Sequence, residues 1–206
     1  MSLIEPVALP LRDPACWSTV DALEDDPFYR AITVEFAGHG VRRAALLRYF
    51  AYCIHEGRRL GRTVHAREPE LGVAVWLLPQ AAEVQKKERV RKMDFLHVVL
   101  GKRGRSNYER IVDFMSAHAA KIVPGDAWYL SIIAVGPEAQ GRGLGGRLAA
   151  PTLAEADAAG AVCYVETFSL RNLAFYERLG FVAQARIEEP TTGSDYTMLV
   201  REPVVM

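Results

Sequence analysis

Residues 136 to 146, GPEAQGRGLGG, place five glycines beside a glutamine and an arginine, directly after the apolar run Leu130 to Val135. That run has the length and β-branched content of a buried strand, and the residues after Gly143 have a helical pattern. A glycine-rich strand-to-helix junction is suited to holding a phosphate. Unpaired backbone N–H groups at the helix N-terminus point at the anion, and glycines let it approach the backbone closely. Further along lie Glu166 at a predicted strand end and Asn172 and Tyr176 on a predicted helix. A carboxylate can accept a proton, and a phenol with an ordinary pKa near 10 can donate one.

Spacing separates the phosphate-loop types. A Walker A loop needs GxxxxGK followed by Ser or Thr. Gly136 and Gly141 have the spacing, but Arg142 and Gly143 follow, so no hydroxyl is available for a metal. Gly141, Gly143 and Gly146 match the dinucleotide pattern GxGxxG, and Glu166 lies about 20 residues on, where a ribose-binding acid belongs. In that fold, however, the first glycine closes the strand, whereas Gly136 to Gln140 intervene here, and too little chain follows Gly146 for the remaining βαβ units.

Taken as one unit, Gln140 to Gly145 (QGRGLG) resembles the Q/RxxGxG/A loop of the GNAT superfamily of acyl-CoA-dependent N-acyltransferases, with Gln140, Gly143 and Gly145 in the defining places. A second block agrees. Asn172, Phe175, Tyr176, Gly180 and Phe181 in RNLAFYERLGF are similar to the family's NxxFYxxxGF signature, preceded by Val165-Glu166-Thr167. The run GVAVWLLP, residues 72 to 79, resembles the puromycin N-acetyltransferase branch.

The resemblance implies an α/β fold with a mixed, mostly antiparallel central sheet flanked by helices and an extra helical segment before the central strand. It implies acetyl-CoA as cosubstrate. Its pyrophosphate would lie on the backbone of Gly141, Arg142, Gly143, Leu144, Gly145 and Gly146, with Gln140 in the loop and Arg142 adding charge. The pantetheine arm would lie along Ile133, Ala134 and Val135, splayed from the neighbouring strand, with Asn172 contacting the coenzyme. Acyl transfer to an amine needs a held carbonyl, oxyanion stabilisation and a proton for the departing thiolate. Tyr176 is the expected general acid and Glu166 the expected base, with Asp25, Asp26 and Glu35 as further base candidates and Ser131 as a residue to order water. The acceptor would be a small-molecule or peptide amine attacked directly in a ternary complex. A non-catalytic acyl-CoA-binding sensor or interaction module is the alternative, and a homodimer is common among relatives.

Other elements must position these groups. Val7 to Leu11 predicts a short strand, and Asp13-Pro14 opens a helix through Trp17, Val20 and Leu23 that Pro27 ends. Asp25 to His39 is an irregular segment, and Val41 to Leu60 an amphipathic helix. Thr63 to Ala66 and Leu71 to Leu78 predict a strand meander, with Val73, Val75 and Leu77 alternating as a half-buried strand. Pro79 opens a helix with Val84, Met93, Leu96 and Leu100 inward, and Gly101 and Gly104 end it. Its basic middle, Lys86, Lys87, Arg89, Arg91 and Lys92, is expected to be a solvated face. Ser106 and Glu109 form a capping-box pattern before the stripe Tyr108, Ile111, Val112, Met115 and Ala119. Pro151 predicts a kink near Leu148, and Gly160 a helix end. The strand Val162 to Thr167, the helix Arg171 to Leu179, and the strands Phe181 to Ile187 and Tyr196 to Val200 around Gly193 follow.

The 206 residues, half of them hydrophobic and neutral in net charge, suit one domain and no nucleic-acid partner, and the resemblance implies that residues 1–206 form a single acyl-CoA N-acyltransferase domain. The three cysteines are scattered and the five histidines lack ligand spacing, so no disulfide framework or metal is expected. No apolar run approaches the roughly 18 residues of a membrane span, and the start MSLIEPVALPLRD lacks a basic, apolar leader, so the expectation is a cytoplasmic protein without membrane contact.

Overall fold

Strand β2 (Gly72–Leu77) is buried on both faces in the computed structural model, which describes residues 13–204. This corrects the expected half-buried alternation, because helices cover both sides of the sheet. The predicted strand Val7 to Leu11 lies outside the described residues. Val73 and Val75 face a core built with α1 (Ala15–Leu23), α2 (Pro27–Ile32), α3 (His39–Leu60) and α4 (Ala82–Ala119). Ala74 and Trp76 face a second core under α5 (Leu144–Ala159) and α6 (Leu173–Arg178). A continuous apolar run is what such a strand requires.

The remaining strands are β1 (Gly61–His65), β3 (Trp128–Val135), β4 (Cys163–Thr167), β5 (Val182–Glu189) and β6 (Ser194–Arg201). The sheet order is β1-β2-β3-β4-β6-β5, and every neighbouring pair is antiparallel except β3 with β4. This is the expected mixed, mostly antiparallel sheet, and it rules out the doubly wound parallel sheet of the dinucleotide reading. Among the described residues no helix is long and apolar enough to cross a membrane.

Local readings that ignored long-range contacts need correction. Pro27 opens α2 instead of ending a helix, because Asp26 caps it, its Oδ1 accepting the Phe28 N–H at 2.9 Å. α4 is two helices joined at Gly101, whose φ of 72° leaves the helical region. The second half is capped from afar: Glu35 Oε1 accepts the Arg103 N–H at 2.9 Å, so the helix has begun before Ser106 and the Ser106–Glu109 pair caps nothing. Gly104 does not end a helix. It lies inside α4, where a Cβ would come within 2.2 Å of the Ile32 carbonyl, and so lets α4 cross α2 closely. Val84, expected inside, is 37% exposed, because α4 turns its inner face to the core only from Met93 onward.

α5 runs as one helix from Leu144 to Ala159 with Pro151 inside it. Proline removes the hydrogen bond to the carbonyl of Arg147, but both residues are exposed, so water can satisfy that carbonyl. Gly160 ends α5 as expected, with φ of 64°.

Candidate active site

Strands β3 and β4 pair only at Trp128–Cys163 and Tyr129–Tyr164, then part. The gap is a cleft of about 690 Å³ between Ile133, Ala134 and Val135 on one side and Asn172, Phe175 and Tyr176 on the other. Gln140, Gly141 and Gly143 to Gly146 close one end. The Gly136 N–H donates to the Leu71 carbonyl on the β2 side, so strand alternation directs the polar backbone of Val135 and Ile133 the opposite way, into the gap. In agreement, the Val135 carbonyl accepts from Gln140 Nε2 at 2.9 Å, which pins the loop to the strand end.

The loop geometry needs its glycines. Gly143 caps α5 with φ of 72°, in the left-handed region, and makes no side-chain cap, which leaves the first-turn N–H groups facing the cleft. At Gly145 a Cβ would lie 2.9 Å from the Phe175 ring, so that glycine sets how closely α5 approaches α6. Gly143→Ala is therefore expected to cost about 1–2 kcal/mol of stability through left-handed strain and to weaken coenzyme A binding several-fold. Gly160→Ala, at the other end of α5 with open space around it, is expected to cost similar stability without affecting coenzyme affinity. Thermal melts and calorimetric titration of both variants check this, and equal affinity losses would remove the loop from the argument.

Arg142 does not line the cleft; it is exposed, and its carbonyl accepts from Arg147 Nη1 at 3.1 Å. Two cations that sequence reasoning missed, Arg171 and Arg178, do line it. Their spacing around Asn172 in the second motif was the available signal.

A second chamber, of about 320 Å³, adjoins the cleft, and Leu23, Ile133, Asn172 and Tyr176 belong to both. Tyr176 is 5% exposed and packs edge-on against Phe175 and Phe181. Burial, and then the charge of Asp26, push its phenol well above its ordinary pKa, so it stays a proton donor. Asn172 stands at the N-cap of α6 but makes no side-chain cap. Its amide therefore faces the two spaces without serving the helix.

Ser131 is the extra residue of a bulge in β3, where Val75 pairs with Ile132 and Trp76 with Leu130. The bulge re-aims the strand: Leu130 faces the α5 side, whereas Ile132 and Ala134 face the α1–α4 side. It also brings Ser131 to the chamber wall.

Glu166, near the end of β4, faces the same chamber. Burial pushes its carboxyl up to about 7, against the pull of the nearby Tyr129 hydroxyl, and its buried Oε1 has no hydrogen-bond partner among the described residues. Asp26 is the second carboxylate in the chamber; burial raises it to about 6, opposed by the Phe28 N–H. Of the other early acids, Asp25 is exposed and paired with Arg30 at 2.7 Å, and Glu35 caps α4, so neither reaches the chamber.

Lys92 corrects the expected solvated face. Its ammonium bonds Glu56 Oε2 at 2.6 Å, with only 12% and 8% of the two side chains exposed, because α4 lays this residue against α3. Among the described residues no cluster of His, Cys, Asp and Glu is arranged to hold a metal ion.

Residues 95–183 match the family model described as the acetyltransferase (GNAT) domain. A structure from Corynebacterium glutamicum, described as histone acetyltransferase HPA2 and related acetyltransferase, is 25% identical with a TM-score of 0.63, covering 93% of this chain and 91% of that one. The polyamine N-acetyltransferase of Drosophila melanogaster is 14% identical, with a TM-score of 0.63 over 93% of this chain and 94% of its own. Arylalkylamine N-acetyltransferase 2 from Aedes aegypti is 11% identical, with a TM-score of 0.59 over 90% and 91%. The chain therefore has the fold of these acetyltransferases, and its residues 95–183 match the GNAT domain model.

Proposed function

We propose that the protein is an acetyl-CoA-dependent N-acetyltransferase acting on the primary amine of a small molecule. The observation that carries this reading is the meeting of the two spaces at Tyr176 and Asn172. The cleft takes the coenzyme: its pyrophosphate on the N–H groups of the glycine loop with Arg171 and Arg178 adding charge, its pantetheine along Ile133 and Val135. The thioester then stands at the junction, with the amine arriving from the chamber.

The amine nitrogen attacks the thioester carbonyl, a C–N bond forms and the C–S bond breaks, with no acyl-enzyme. Glu166, raised by burial to about 7, is matched to accept the ammonium proton near neutral pH, directly or through water held at Ser131. Tyr176 gives its proton to the departing thiolate. No other nucleophile is required. The chamber draws on α2, α3, α4, β3 and β4, which supports treating the chain as one acyltransferase domain.

A chamber of about 320 Å³ suits a small molecule better than a peptide. That agrees with the polyamine and arylalkylamine activities in the names of the structural relatives. Residues 72 to 79 keep the puromycin N-acetyltransferase branch as the finer family reading. We assign the activity to the cytoplasm, where three buried free thiols remain reduced.

The test is release of free thiol from acetyl-CoA across a panel of primary amines, with mass spectrometry of the product. A product heavier by one acetyl group is the expected outcome. Coenzyme binding without acetylation of any amine would instead favour the binding-module reading.

A further inference from the structure

The chamber wall holds one cation that the acyl-transfer steps do not use. Lys92, on α4, lines the chamber, and Tyr29 lines the same space near both Lys92 and Tyr176. The Lys92 ammonium lies 5.8 Å and 5.5 Å from the rings of Tyr52 and Tyr108, favourable positions for a cation. It has three N–H donors; Glu56 takes one and the Tyr108 hydroxyl is a second partner, which leaves one over. A buried ammonium with a donor left over at a cavity wall gains a hydrogen bond when an acceptor oxygen arrives there.

We propose that Lys92 determines acceptor specificity: the acceptor carries, at its end remote from the amine, a neutral oxygen such as a hydroxyl or amide carbonyl that accepts a hydrogen bond from Lys92. This assignment rests on the acetyltransfer reading of the site. Charge selects the oxygen's type. Lys92 is already neutralised by Glu56, so an acceptor carboxylate would bring an unpaired negative charge into a site that also holds Asp26 and Glu166. A second ammonium at that end would face Lys92 itself. A purely aliphatic end would leave the lysine's remaining donor without a partner. The tyrosines between the two ends, Tyr29, Tyr108 and Tyr129, supply an apolar wall for the carbon body.

The test compares, on the wild-type protein, amino alcohols, alkylamines, diamines and amino carboxylates matched in chain length from propyl to hexyl. kcat/KM is measured for each, and calorimetry measures binding of the same amines to the protein with and without coenzyme A. At the best length the amino alcohol is expected to exceed the alkylamine about tenfold in kcat/KM and in affinity, as one charge-assisted hydrogen bond allows. The diamine and the amino carboxylate should both fall below it. The second arm is Lys92→Met combined with Glu56→Gln, which removes both charges together and avoids leaving Glu56 buried and unpaired. In that variant the alcohol and the alkylamine should converge.

A preference for the alkylamine, diamine or amino carboxylate in the wild type overturns the assignment, as does an alcohol preference that survives in a folded double variant. If the double variant does not fold, the wild-type series decides alone. Acetylation without an alcohol preference removes the role of Lys92 and leaves the acetyltransfer reading intact. An alcohol preference in binding, with no amine acetylated, has the opposite effect.

Discussion

Tyr176→Phe is expected to lower kcat by about 10²–10⁴-fold, the usual size of a general-acid contribution, while coenzyme A affinity stays within about twofold. The substitution removes one hydroxyl and keeps the ring that packs edge-on against Phe175 and Phe181. The fold and the cleft wall should therefore survive, and stopped-flow thiol release with a parallel coenzyme titration separates chemistry from binding. The phenol's raised pKa keeps the proton in place across the working pH range, so Tyr176 should contribute no limb to a pH profile near neutrality. Full turnover in the phenylalanine variant would remove Tyr176 from the mechanism and leave it as packing.

Glu166→Gln is the second large effect, expected again at about 10²–10⁴-fold in kcat/KM. It carries a pH signature that a structural role would not produce. Because the carboxyl is raised to about 7, wild-type activity should fall as pH drops below neutrality, where the base becomes protonated. The variant should lose that limb and keep only the titration of the amine substrate.

Stability should move the other way. The carboxyl's ordinary value is 4.5, so between there and about 7 the folded protein binds more protons than the unfolded chain. Stability then declines with rising pH across that window and stays lower above it. A shift of this size corresponds to a penalty on the order of 3 kcal/mol in the ionised state. Glu166→Gln is therefore expected to raise the melting temperature at pH 8 and to change it little at pH 4. A variant that is inactive but no more stable at pH 8 would count against a buried, ionised Glu166.

Much of the cleft beside the glycine loop was legible because its determinants are local. A β-branched run followed by glycines that tolerate a left-handed backbone specifies a strand, a turn and an open helix N-terminus within about twenty residues. Gly143 and Gly160 were assignable for that reason, as were β3, α5 and the hairpin of the last two strands. Arg171 and Arg178 were missed although their positions were visible, because a charged residue in a motif looks like an ordinary exposed cation until the cleft is closed around it.

The acceptor side was not legible to the same degree. Asp26 and Glu166 are far apart in the chain, and nothing local in either segment reports that the two line one chamber. Glu35, a base candidate by residue type, is spent on capping the second half of α4, a contact across the loop before α3. The cost of Pro151 inside α5 depends on whether the freed carbonyl reaches water, which no local pattern reports.

By itself, then, the sequence determined the glycine loop, the strand before it and the helix after it, because each follows from backbone preferences and apolar periodicity within one segment. Tertiary structure alone decided the place of the bulge at Ser131 and the burial of Lys92 against Glu56. Those features arise where separate elements compete for the same space. The free energy of a buried charge or a bulged strand depends on what the rest of the chain packs against it.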